Sequence, residues 1–118
     1  MRRDVRSVSK QRAKGTAFET LIVRYLNDHG FPHAERRALH GTADLGDITG
    51  TPGIIWECKN HKQLRLSEWM TQTETEKQNA DAEIGVLVAK RSGRGTADDQ
   101  YAIVTLETMV RLLKAAGW

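Results

Sequence analysis

The run Ile54-Ile55-Trp56-Glu57-Cys58-Lys59 sets an acid and a base one residue apart at the end of an apolar segment. A second carboxylate stands upstream in Gly46-Asp47-Ile48. Alternate side chains of a strand share a face, so Ile55, Glu57 and Lys59 point one way and Ile54, Trp56 and Cys58 the other. Phosphodiester hydrolysis needs a positioned water, neutralised charge on the phosphate and a stabilised leaving oxygen. Magnesium serves all three, and it takes carboxylate oxygens while keeping waters in its shell. Asp47 and Glu57 supply such a pair, and the Cys58 backbone carbonyl offers a third oxygen. Lys59, on the face of Glu57, is suited to hold or deprotonate the attacking water and to offset transition-state charge. Glu-x-Lys alone is equally a surface ion pair, and Asp47 after a glycine is equally a turn residue. Their conjunction with an upstream helical glutamate, Glu19, and a basic N-terminus is what gives them weight.

The elements that must position these groups are legible in outline. Ala17, Phe18, Leu21, Ile22, Tyr25 and Leu26 recur at the spacing of one apolar stripe, which predicts a helix over Arg12–Asn27. Gly30 and Pro32 stop it. Glu19 falls at the border of that stripe, where a glutamate can face a cleft. Phe31–Leu39 is expected to be a short strand or extended segment, and Ile48–Gly53 a turn between antiparallel strands. Ile54–Lys59 is the clearest strand. A helix is expected from near Ser67, whose hydroxyl can cap its first turn, to about Ala82. Its polar remainder implies that it covers the sheet on one side only. Ile84–Lys90 is a continuous apolar strand suited to a central position. Arg91–Asp99 reads as an exposed loop, Tyr101–Leu106 as a last strand, and Thr108–Ala116 as a closing helix with Met109, Leu112 and Leu113 inside. The class is α/β, with a mixed central sheet flanked by helices.

Composition narrows the setting. A chain of 118 residues with 39% hydrophobic residues makes one domain with one core. Its single cysteine, Cys58, excludes an internal disulfide and reads as a buried thiol in a reducing compartment. One cysteine and four scattered histidines give no local zinc motif. The longest apolar run, Ile84–Ala89, is too short for a bilayer, and the basic N-terminus lacks the apolar segment of a signal peptide. A cytoplasmic setting, in a bacterial cell or a phage-infected host, is the expectation. The net charge of +3 is unevenly placed. Arg2, Arg3, Arg6, Lys10, Arg12 and Lys14 crowd the start against Asp4 alone, leaving the rest slightly acidic. Residues 1–11 are therefore expected to form a basic flexible arm ahead of a single domain over 12–118. Such an arm attracts a phosphate backbone without reading sequence.

Taken together, the chain resembles the PD-(D/E)xK nuclease superfamily, and within it the small Holliday junction resolvases of archaeal and phage type. The residues that carry the resemblance are Lys14-Gly15 with Glu19, Gly46-Asp47-Ile48, and Trp56-Glu57-Cys58-Lys59-Asn60. The downstream helix with Gln72 and Gln78, then Val86-Leu87-Val88, follow the same order. The resemblance covers roughly Arg12 to Val104 and implies a restriction-endonuclease-like core. It implies Glu19, Asp47 and Glu57 as metal ligands, Lys59 as the catalytic lysine, and a helical glutamine, Gln72 ahead of Gln78, beside them. It also implies magnesium dependence with manganese able to substitute, a homodimer, and cleavage of a branched DNA at two symmetric strands. Gly46 stands where the superfamily has proline. Asp44 competes with Asp47 as the ligand, Asp47 being favoured because Ile48 begins the strand directly after it.

His61, Arg91 and Arg94 join the basic arm as candidate DNA contacts, and Trp118 as a candidate interface residue. The expected activity is that of a metal-dependent endodeoxyribonuclease resolving four-way or other branched junctions in recombination or repair. The alternatives are a restriction or repair nuclease of the same superfamily, and a DNA-binding protein that keeps the fold without the chemistry.

Overall fold

The computed structural model describes residues 5–38 and 44–118, with side chains from residue 9 onward. The chain runs α1 (Val5–Asp28), β1 (Glu35–Arg36), β2 (Ile48–Thr49), β3 (Ile54–Lys59), α2 (Leu66–Asn79), β4 (Ile84–Ala89), a short 3-10 turn (Ala97–Asp99), β5 (Tyr101–Ile103) and α3 (Leu106–Ala115). The five strands lie in sequence order in one mixed sheet. β1, β2 and β3 pair antiparallel, β3 and β4 pair parallel, and β5 returns antiparallel. A parallel pair needs a long crossover, and α2 provides it. This is the α/β architecture expected, with β4 interior and β3 at the centre.

Each face of the sheet has its own core. On one, Phe18, Ile22 and Leu26 of α1 pack with Ile48, Val86 and Val88, and Ile54, Trp56 and Cys58 lie against them. On the other, Trp69 of α2 packs with Leu87 and Ala89. The alternation read in β3 therefore decides which helix each side chain meets. Ile54, Trp56 and Cys58 meet α1, and Glu57 turns toward α2. Gly85 permits the close approach of α2, since a Cβ there would stand 3.1 Å from the Thr73 methyl.

Several boundaries differ from expectation for local reasons. α1 begins at Val5 rather than Arg12, so the residues of the expected arm from Val5 onward are helical and Met1–Asp4 lie outside the described residues. β1 is only Glu35–Arg36, because the Asn27 side chain gathers the carbonyls of Phe31, Pro32 and Ala34 into a turn. Ser67 does not cap α2, which starts at Leu66 with no side-chain cap; its own carbonyl accepts from the Thr71 hydroxyl. α2 ends at Asn79 rather than near Ala82, since Asp81 adopts a left-handed φ of 51°. β5 stops at Ile103 because Thr105 caps α3, its Oγ1 accepting from the Thr108 amide at 3.2 Å.

One expectation is inverted. Met109, Leu112 and Leu113 are exposed, and Thr108 is the buried residue of α3. Among the described residues no helix is long and apolar enough to cross a membrane.

Candidate active site

Glu57 is the next side chain after Ile55 on the α2 face of β3, and only 4% of its surface remains exposed. Burying a carboxylate this far is costly unless something meets its charge. The Lys59 ammonium, next on the same face, stands 3.5 Å from Glu57 Oε1. Glu57 Oε2 has no hydrogen-bond partner. Opposite it, α2 presents Trp69, Thr73 and Glu76 inward, at the helical spacing of one face. Glu76 is 1% exposed, and neither of its carboxylate oxygens has a partner. Asp44 completes the group: one oxygen each of Asp44, Glu57 and Glu76 lies within 4.8 Å of the others.

Three carboxylates so close repel one another, and their proton affinities record it. Burial, then the close approach of the Glu76 carboxyl and the charges of Asp47 and Glu76, push Glu57 up to about 10, with Lys59 opposing. Burial raises Glu76 to about 7. The two carboxyls titrate as a pair, both raised. Three convergent carboxylates, of which Glu57 and Glu76 keep buried, unpartnered oxygens, fit the donor set of a hard divalent cation such as magnesium or manganese.

Asp47 occupies a different position from Asp44. Its amide donates to the Trp56 carbonyl at 2.8 Å, and its Oδ2 accepts the Cys58 amide at 2.7 Å. Asp47 thus clasps β3 at the step after Glu57, and its charge reaches both Glu19 and Glu57. Asp44 Oδ1 accepts the Gly46 amide at 3.1 Å. Gly46 is confined to glycine here: its φ is 92°, and a Cβ would come within 2.9 Å of the Trp56 carbonyl oxygen. Asn79 of α2 donates to the Asp44 carbonyl at 3.1 Å, fixing this turn to the helix that carries Glu76.

Glu19 projects from α1 and pairs with Arg36 at 3.4 Å. Partial burial and the Asp47 charge raise its pKa, against the pull of Arg36. Gln72, one turn before Glu76, sits near enough to favour the charged form of that carboxyl without making a hydrogen bond of ordinary geometry. Gln78 is exposed. Cys58 is a free thiol that burial and the surrounding carboxylates hold firmly protonated.

A cleft of about 940 Å³ opens beside Lys59, lined by Gln11, His61, Lys62, Arg65, Trp69 and Gln72 among others. A second, of about 500 Å³, adjoins it through His61 and Lys62 and reaches Lys14, Lys90 and Tyr101. The His61 ring lies 5.2 Å from that of Trp69. Partial burial, then the charges of Lys59, Lys14 and Arg65, hold its pKa down. Such crowding of cations is what an anionic backbone relieves. Lys10 and Arg12 are exposed along α1, whereas Arg2 and Arg3, and the side chain of Arg6, lie outside the described residues. Arg91 and Arg94 are not free: both pair with Asp99, at 2.7 and 3.4 Å, and Arg91 also lies over the Tyr101 ring.

Glu76 was missed in the sequence because Glu74, Lys77 and Gln78 surround it and α2 reads as polar throughout. The signal was Trp69: taking that residue as inward places Thr73 and Glu76 inward with it. No family model, curated protein or solved structure matches the chain.

Proposed function

We propose that this chain is a divalent-cation-dependent endodeoxyribonuclease with a restriction-endonuclease-like core, acting on four-way or other branched DNA as a homodimer. The observation that carries the reading is the trio Asp44, Glu57 and Glu76, in which Glu57 and Glu76 keep buried unpartnered oxygens, beside Lys59. The basic clefts beginning at Lys59 supply a path for a phosphodiester backbone to that point.

Glu57 and Glu76, with Asp44 at the open side, would hold magnesium or manganese, and Asp47 and Glu19 add negative charge behind them. The cation, when bound, supplies the Lewis-acid charge that polarises the phosphate and lowers the pKa of a water. Lys59 orients the attacking water from the Glu57 side and offsets charge growing on the phosphoryl oxygens. Asp47 keeps the Cys58 amide in place and so fixes the strand end carrying both groups. Lys62, Arg65 and Lys14 hold the flanking phosphates, which sets position without reading bases.

The test compares four-way junction, flap, duplex and single-stranded DNA, each with magnesium and with chelator. Symmetric cuts across the junction are the expected result. Cleavage restricted to duplex or flap would assign a restriction or repair nuclease instead, and no cleavage of any substrate would leave a DNA-binding protein.

A further inference from the structure

α3 meets the body of the protein with the wrong face for a core helix. Thr108 is its buried residue, and Arg111 Nη2, one turn on, donates to the Glu83 carbonyl at 3.0 Å. The apolar residues Leu106, Val110 and Leu113 recur at i, i+4 and i+7 on the opposite side, at 78%, 47% and 43% exposure. Met109 flanks them, and Trp118, at 81%, lies just beyond the helix end. Scattered exposed hydrophobes are ordinary, but a continuous stripe on one helix marks a surface that something covers.

We propose that a second copy of this chain covers it, α3 packing antiparallel on α3 about a two-fold axis. The charges on the helix select both the occupant and its direction. Glu107 and Lys114 lie on one edge of the stripe, two turns apart, and among the described residues neither forms an ion pair within the chain. An antiparallel copy sets each Glu107 against the other chain's Lys114, making two attractive pairs. A parallel two-fold copy carries the two edges to opposite sides of the seam and forms neither pair. A two-fold contact of this kind is self-complementary, as a homodimer requires. The exposed apolar area, on the order of 500 Å², falls below the ~800 Å² per partner of a standard interface. The dimer is therefore a modest, concentration-dependent one. This extends the functional reading by giving its homodimer an interface, but the contact is measured without DNA or metal, so either can fail alone.

Sedimentation equilibrium of the full chain tests it. The wild type should pass from monomer to dimer within the micromolar range, and Leu113→Glu should stay monomeric with an unchanged circular dichroism spectrum. Glu107→Lys and Lys114→Glu should each weaken the dimer about tenfold, and the double exchange should restore it. A wild type that is monomeric throughout, a dimer indifferent to Leu113→Glu, or a double exchange that restores nothing would overturn the proposal.

Discussion

The carboxylates of Glu57 on β3 and Glu76 on α2 converge within 4.8 Å across the interface of strand and helix, both buried. A well-packed interior avoids this arrangement unless the charges have a use, because Lys59 meets only one oxygen of Glu57 and neither oxygen of Glu76 has a partner. The relationship arises from the crossover that pairs β3 with β4 in parallel and lays α2 over the face carrying Glu57.

The first consequence is a pH dependence of stability. Both carboxyls have folded-state pKa values raised above the ordinary 4.5, to about 10 for Glu57 and about 7 for Glu76. Above 4.5 the folded state binds more protons than the unfolded one, so stability falls as pH rises. The decline runs through about 7 toward about 10. The cation-free protein should therefore lose at least about 5 °C of Tm between pH 5.5 and 8.5. Calorimetry in chelator measures it, and Glu57→Gln should flatten the slope. An equal slope in that variant would place its origin elsewhere.

Removing one carboxylate should separate stability from function. Glu76→Gln keeps the shape and relieves repulsion, so the cation-free protein should melt higher at pH 8 than wild type. The same change should cost about 10- to 100-fold in magnesium affinity, read from the Tm rise on titration. A lower Tm with undiminished cation response would assign Glu76 a purely structural role.

The basic clefts predict how binding responds to salt. Replacing Lys14 and Lys62 together with Gln should weaken junction binding and lower the slope of log K against log salt by about 1 to 2. Fluorescence anisotropy over a salt series gives the slope directly. An unchanged slope would exclude these clefts from the DNA path.

The β2–β3 hairpin that brings Asp47 to β3 depends on Gly50. Its φ is 89°, and a Cβ there would lie 1.9 Å from the His33 carbonyl oxygen. Gly50→Ala should cost about 2 kcal/mol or more and lower Tm by several degrees. Wild-type thermal stability in that variant would contradict the packing of the hairpin on the turn before β1.

The opening stretch was readable because strand alternation is a local property. The period of two put Glu57 and Lys59 on one face of β3, and the hairpin ahead of it followed from glycine and proline. What depends on distant partners was not readable. Glu76 is inward only because Trp69 docks on Leu87, and nothing near it in sequence announces that. Met109, Leu112 and Leu113 promised a core, but Thr108 and Arg111 dock α3 by its polar side and leave the stripe outside. Ser67 looked like a cap, yet α2 had already begun at Leu66. Asp44 and Asp47 could not be separated by spacing. Their hydrogen bonds distinguish them, one facing the carboxylate group and the other clasping Cys58.

The central claim is that Glu57 and its neighbours hold a cation that drives DNA cleavage with Lys59. The most direct measurement is the single-turnover cleavage rate of an end-labelled four-way junction, with magnesium and with chelator. It is made for wild type, Glu57→Gln and Lys59→Ala. Wild type should cut with magnesium alone, and each variant should lose at least about 1,000-fold in rate while binding the junction as before. Cutting in chelator, or a variant that cuts at the wild-type rate, would contradict the account.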